Sequence, residues 1–535
     1  VEYNGTIAQT VAELTYGNLS FSNGAALAKS LAGDIQVNGN FLINSGATFN
    51  PDSSSTTLYG NYTNNGTYSP SVNSTLILNG VSKTFTGAST LYNLDVINGS
   101  YTVTSGAVSM AGDLIVDATG SLNFGTNSAI LDGDLTNRGS LVSNGSATFT
   151  GTRLQTIQLI NAITSTSSGV VNFNGSVSPV LFSTSPPAFA NVNINNTGGI
   201  TPSVPWGVYF NCTVGAGATF NGGAFTHTFY GNFTNNGTVT SDGDLTFRPG
   251  APFSASGTVR LDGTSFSSTG NVNFAGTAPL TVLLVNPTLY NVAVTNANGA
   301  GVTIPSCTIG QDIYVASGSI LNGGTNTLTI GGNLTNNGTI NGGTSTFAFI
   351  GNPVTHDGSG VSNFNNLTIA TGSDVALNKS IGVSSDLVVD GNFNALGRVV
   401  TFNGTSASTI SGAAGSLTLE DVVQNKPGST TTLAIPVTVV GDLTLTDGII
   451  NTTAANILIM ADEATAGTGN ATSYVEGPMK KVGDDAFVFP LGKDGVWARL
   501  GISAPTLGTD AFTAEYFANE YANTSSMAAI PMPAL

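Results

Sequence analysis

The stretch GNYTNNGT, Gly60–Thr67, decides how this chain is read. It returns as GDLTNRGS at Gly133–Ser140, as GNFTNNGT at Gly231–Thr238 and as GNLTNNGT at Gly332–Thr339. A catalytic loop is written once in a domain, so a motif written four times with the same chemistry is an architectural part. Asn followed by Gly is favoured where a chain turns tightly with positive φ. Asn65 and Gly66, Asn137 and Gly139, Asn236 and Gly237, and Asn337 and Gly338 therefore read as structural corners between short strands.

Counting outward from these corners exposes a repeat. Blocks open with an aromatic or Leu, then Asn or Asp, then alternating aliphatics, at Asn18, Asn93, Asn191, Asn291, Asn366 and Asp421. A second strand follows 20 or 21 residues later: Asp113 after Asn93, Asn211 after Asn191, Asp312 after Asn291, Asp386 after Asn366 and Asp442 after Asp421. The corner motif comes 21 residues later again, at Asp134, Asn232 and Asn333. Closing strands end at Gly80, Gly151, Gly263, Gly351 and Gly404, and the two longest blocks carry one more, to Gly175 and Gly276.

A period near 20 with two or three short strands marks a solenoid, whose units bury their apolar faces only by stacking. The expected fold is all-β: an elongated parallel β-solenoid (β-helix) over 1–454, followed over 455–535 by a small C-terminal β-sandwich-like module or cap. In NTLTIGG, Leu328 and Ile330 are expected to face inward and Thr327 and Thr329 outward. About 20 rungs at ~4.8 Å would reach on the order of 100 Å. That spacing sets Cys212 and Cys307 too far apart for a disulfide, so two inert thiols are expected. Asn at matching positions can stack as amide ladders.

Composition narrows the partners. Thirty acidic against 13 basic residues give −17 with no basic cluster, which argues against nucleic acid and anionic membrane surfaces. No apolar run reaches the ~18 residues of a membrane-spanning helix. The 27 Phe and 14 Tyr, alternating with aliphatics, exclude disorder as the main state. VEYNGT at Val1–Thr6 matches the closing strand VTFNGT at Val400–Thr405. Further repeats are therefore expected before Val1, or contact of this end with a neighbouring subunit by head-to-tail self-association.

Chemistry-bearing residues are sparse. His227 and His356 lack the companions of a triad or metal site and read as strand residues. Asp113, Asp312, Asp386 and Asp442 recur at one repeat position that Asn211 also fills, which points to strand entry rather than catalysis. The D-G-D pairs Asp132/Asp134 and Asp242/Asp244 have ligand chemistry for calcium, but they lack the GGxGxDxUx repeat and read as turns. No cofactor is expected. Tyr62, Phe233 and Tyr230 can stack on glycans, although Leu135 and Leu334 at equivalent positions place Tyr62 and Phe233 in the core.

The combination of LYNLDV, GDLIV, GNYTNNGT and VTFNGT resembles the repeat regions of large secreted and cell-surface proteins of Bacteroidota. EGPMKK followed by FVFPLG is similar to the module that follows those repeats. The resemblance implies export by the type IX secretion system and an adhesin-like role, although no sorting domain is recognisable after Phe517. The expected function is an extracellular structural or adhesive rod or fibre subunit at the outer cell surface, without catalysis. The alternative is a polysaccharide-binding or polysaccharide-degrading β-helix.

Overall fold

A computed structural model describes residues 1–22, 27–263, 265–285 and 288–518; the end of the expected C-terminal module, 519–535, lies outside them. The chain divides into two compact units, Val1–Val302 and Thr303–Leu535. Both are built of parallel β-solenoid rungs of about 21 residues, and no helix occurs among the described residues.

In the first half of unit 1 each strand pairs with the one three places further along the chain. One sheet runs Glu2–Tyr3, Leu19–Phe21, Phe41–Ile43, Tyr62–Asn64, Lys83–Thr86 and onward to Ile163–Thr164, all adjacent pairs parallel. Two other columns complete the rung, so three short strands enclose one core. The side-chain period of two then decides burial: in Thr327–Ile330 of unit 2, Leu328 and Ile330 are fully buried while Thr327 is exposed.

The in-register stacking puts like residues on like. Phe21, Phe41, Tyr62 and Phe85 form a column with ring centroids 5.5, 5.7 and 4.2 Å apart. Tyr62, Leu135, Phe233 and Leu334, the third residues of the four corner motifs, are all buried. The two additional strands of the long blocks are ordinary rungs of the stack: Val170–Phe173 lies between Ser146–Phe149 and Asn191–Ile194, and Asn271–Phe274 between Leu245–Phe247 and Asn291–Val294.

The glycines of the corners are required for a reason other than the expected one. None of Gly66, Gly139, Gly237 and Gly338 has positive φ. A Cβ on Gly66 would instead overlap the carbonyl oxygen of Ala47 on the preceding rung, and the same holds for Gly139 with Asp117, Gly237 with Ala218 and Gly338 with Ser319. Close approach between rungs excludes the side chain.

In unit 2 the expected boundary at residue 455 falls inside a run of parallel pairs. Val437–Val439 pairs with Leu458–Met460, which pairs with Met479–Val482, and Val475 is in register with Leu491. Antiparallel strands pair where Phe487–Lys493 turns back on Val496–Ile502 and where Met479–Val482 meets Ala511–Ala514. The long strands lie before that boundary: Leu417–Leu433 runs 17 residues through register shifts near Asn425. Gly428 supplies its positive φ of 66° there.

Candidate functional site

The repeated polar residues are consumed by the coil. In each corner the Asn two residues before the Gly is the buried one and makes contacts inside the coil. Asn235 is fully buried, accepts Gly237 N at 3.0 Å and donates to Ser265 O at 3.0 Å. Asn336 does the same with Gly338 N at 3.0 Å and Val361 O at 2.8 Å. Asn64 binds Gly66 N and Ala88 O, and Asn137 reaches Asn161 O at 2.7 Å. Asn65 and Asn236 are exposed, and Asn337 is half-buried and accepts Ser359 N at 3.0 Å. The doubled Asn concealed which member carries the contact; the solitary Asn137 before Arg138 was the clue.

The recurring Asp and Asn at strand entry form a ladder in which each Oδ1 accepts a backbone N–H of the following rung. In unit 1, Asn93 Oδ1 accepts Asp113 N at 2.8 Å, Asp113 accepts Asp134 N at 2.9 Å, and Asp134 accepts Thr156 N at 2.8 Å. In unit 2, Asp312 accepts Asn333 N at 2.7 Å, Asp386 accepts Thr409 N at 2.9 Å and Asp421 accepts Asp442 N at 2.8 Å. Only an acceptor oxygen is needed, which is why Asp and Asn interchange. Amide ladders form as well, as between Asn193 and Asn172 at 2.9 Å.

The D-G-D carboxylates are occupied in the same way. Asp132 accepts the hydroxyls of Thr150 and Thr152, and Asp242 accepts that of Thr269 at 3.0 Å. Asp244 accepts Asn271 N at 2.9 Å. Three carboxylates converge elsewhere, at Asp462, Asp484 and Asp485, where the buried Lys481 pairs with Asp485 at 3.2 Å. Near the ladder of unit 1, Asp95 is pushed up to about 6 by burial, then by Asp117 and Asp113.

Both histidines are buried strand residues. His227 accepts Trp206 N at Nδ1 (3.1 Å) and lies 2.9 Å from Gly222 O through Nε2, and burial holds its pKa below the ordinary value. His356 sits 2.9 Å from both Leu334 O and Ser362 Oγ, and burial lowers it to about 4. Cys212 and Cys307 are free and buried, their thiols pushed up by desolvation, Cys307 to about 12. Lysines serve the coil too: buried Lys29 donates to Gly5 O and Ile7 O, and Lys426 to Ser384 O and Asn403 O.

Hollows lie on both units, and the one that joins two aromatic rings and an arginine to polar residues is on unit 1, where the second long block adds its rung. An open cleft of about 670 Å³ lies there. Residues following the inward-facing position of successive rungs line it: Tyr230 after Phe229, Arg248 after Phe247 and Thr295 after Val294. Between Leu245–Phe247 and Gly257–Leu261 the chain inserts a Pro-rich loop. Gly250 O accepts Phe253 N and Ser254 N, both at 3.2 Å, and turns the loop back. Phe253 then stacks on Tyr209 at 4.0 Å and 6°, with Tyr230 at 4.9 Å. Thr277 N donates to Pro249 O at 3.1 Å, and Gly276, at φ 98°, leaves room for that oxygen.

The floor is polar: Thr295 donates to Asn273 Oδ1 at 2.8 Å, and Thr246 lies beside Asn273 in register. A second hollow of about 510 Å³ shares Ala251, Pro252, Phe253 and Thr277 with the first, so the loop stands between two depressions. Tyr230 was foreseen as an exposed aromatic, whereas Phe253 and Arg248 were not. The sequence signal was the break in the count before Gly276. Comparison with protein-family models, with curated proteins and with solved structures gives no match.

Proposed function

We propose that this chain is an extracellular, non-catalytic structural and adhesive scaffold that holds polysaccharide in the cleft of unit 1. The observation that carries the reading is the pairing of a half-exposed aromatic wall, Tyr230 and Phe253, with a floor of Thr246, Asn273 and Thr295. Sugars offer exactly that combination of apolar C–H faces and hydroxyls, and aromatic rings with a few placed polar groups are how such ligands are oriented. Hydrolysis of a glycosidic bond ordinarily takes two carboxyl groups, and the cleft lining holds no Asp or Glu. Work at the outer surface of its cell follows from the resemblance to Bacteroidota surface repeats. The test is co-sedimentation with a panel of insoluble polysaccharides, alongside a reducing-end assay on the same mixtures. Binding without new reducing ends is expected; release of sugar ends would replace the reading by that of a polysaccharide-degrading enzyme.

A further inference from the structure

We infer that the cleft selects a glycan bearing a carboxylate sugar, with Arg248 as the residue that recognises the acid. The inference rests on the polysaccharide-binding reading and adds the ligand class. Arg248 is the one charged side chain lining the cleft. It is exposed, and its guanidinium has no hydrogen bond or ion pair among the described residues.

Half of the six arginines have no ion pair, but among the described residues the other two of these have a partner, Arg398 donating to its neighbour Gly397 O at 3.0 Å and Arg499 lying over the Trp497 ring at 4.9 Å. Arg138, Arg153 and Arg260 each lie within 4 Å of a carboxylate, at 3.2 Å from Asp117, 3.7 Å from Asp113 and 2.6 Å from Asp262. With 30 acidic and 13 basic residues, an arginine whose neighbours in the cleft are all uncharged retains its donors for something outside the chain. A guanidinium offers a planar fork of N–H donors that matches a carboxylate in bidentate geometry. A pyranose resting on Tyr230 and Phe253 with hydroxyls toward Asn273 and Thr246 brings a ring carboxylate within the fork's side of the cleft. The net charge of −17 repels a polyanion at long range. The favoured ligand is therefore a mostly neutral glycan carrying single uronic acid residues.

The experiment is calorimetric titration of the whole chain with three probes: a xylo-oligosaccharide bearing one glucuronic acid branch, its methyl ester, and the unbranched oligosaccharide of equal length. The acid is expected to bind about tenfold or more tightly than the other two, the scale of a charge-assisted bidentate pair. Arg248→Met should bring the acid down to the level of the ester, and Arg248→Lys should fall between. Arg138→Met, a change of the same charge away from the cleft, should leave all three values unaltered. Equal affinity for acid and ester, or an unchanged acid affinity in Arg248→Met, would overturn the inference and leave polysaccharide binding standing. Failure of all three probes, together with failure of the polysaccharide panel, would overturn both.

Discussion

Asn235→Ala and Asn236→Ala change adjacent residues of the same corner, and the structure assigns them opposite outcomes. Asn235 is fully buried and makes two hydrogen bonds, to Gly237 N and Ser265 O. Asn236 is exposed and makes no side-chain hydrogen bond among the described residues. Truncating Asn235 removes two bonds of about 1 kcal/mol net each and leaves a buried donor and acceptor without partners, so the loss is about 2–3 kcal/mol. Truncating Asn236 should cost less than about 0.5 kcal/mol, the usual surface value. Long repeat arrays unfold in parts rather than all at once, so native-state hydrogen exchange of peptides spanning 232–241 is the right assay. Protection there should fall about 30- to 150-fold in Asn235→Ala and stay within about threefold in Asn236→Ala. Equal effects, or a larger one for Asn236, would refute the assignment of the buried amide to the first Asn.

Other outcomes follow from the same contacts. Gly237→Ala should destabilise by at least about 1–3 kcal/mol, because the added methyl meets the backbone oxygen of Ala218, which no rotamer change can relieve; urea denaturation measures it. Asp386→Asn should keep stability within about 0.5 kcal/mol, since the amide oxygen still accepts Thr409 N, whereas Asp386→Leu loses the bond. Asp95 is raised to about 6 from 3.8, so the folded state binds its proton the more tightly and local stability falls as pH rises through that window; Asp95→Asn should stabilise unit 1 at pH 7 and lose its advantage below about pH 4. His356 is lowered to about 4 from 6.5, so its neutral form stabilises unit 2 above the unfolded pKa and that contribution is lost as pH falls toward 4, visible as faster exchange around 354–364.

Much of the coil is legible in the residues themselves. Alternation such as Thr327-Leu328-Thr329-Ile330 has a period of two that only a strand uses, and stacking rungs of equal length makes Tyr62, Leu135, Phe233 and Leu334 recur at countable intervals. The exchange of Asp113 for Asn211 at one position announced an acceptor rather than an acid. The role of Gly66 was misread because a glycine excused from positive φ looks the same in sequence as one that needs it; close approach to Ala47 is a property of the neighbouring rung. Near residue 455 parallel pairing continues across the change of pattern, from Val437–Val439 to Leu458–Met460 and on to Met479–Val482.

The cleft was the least legible part. Phe253 meets Tyr209 across 44 residues of chain, through a loop with no counterpart in the other blocks, so no periodicity reports the contact. Its only trace was the lengthened interval from Asn191 to Asn291. Irregularity in a regular array was informative, but it located the site without describing it.

The most direct test of a binding cleft on a structural coil is a hydrogen-exchange footprint of the whole chain saturated with the glucuronic acid-branched oligosaccharide. Added protection confined to peptides covering 246–257 and 273–277, with the oligosaccharide recovered intact, is the predicted result. Protection elsewhere on the chain with none in these segments, or recovery of cleaved sugar, would contradict it.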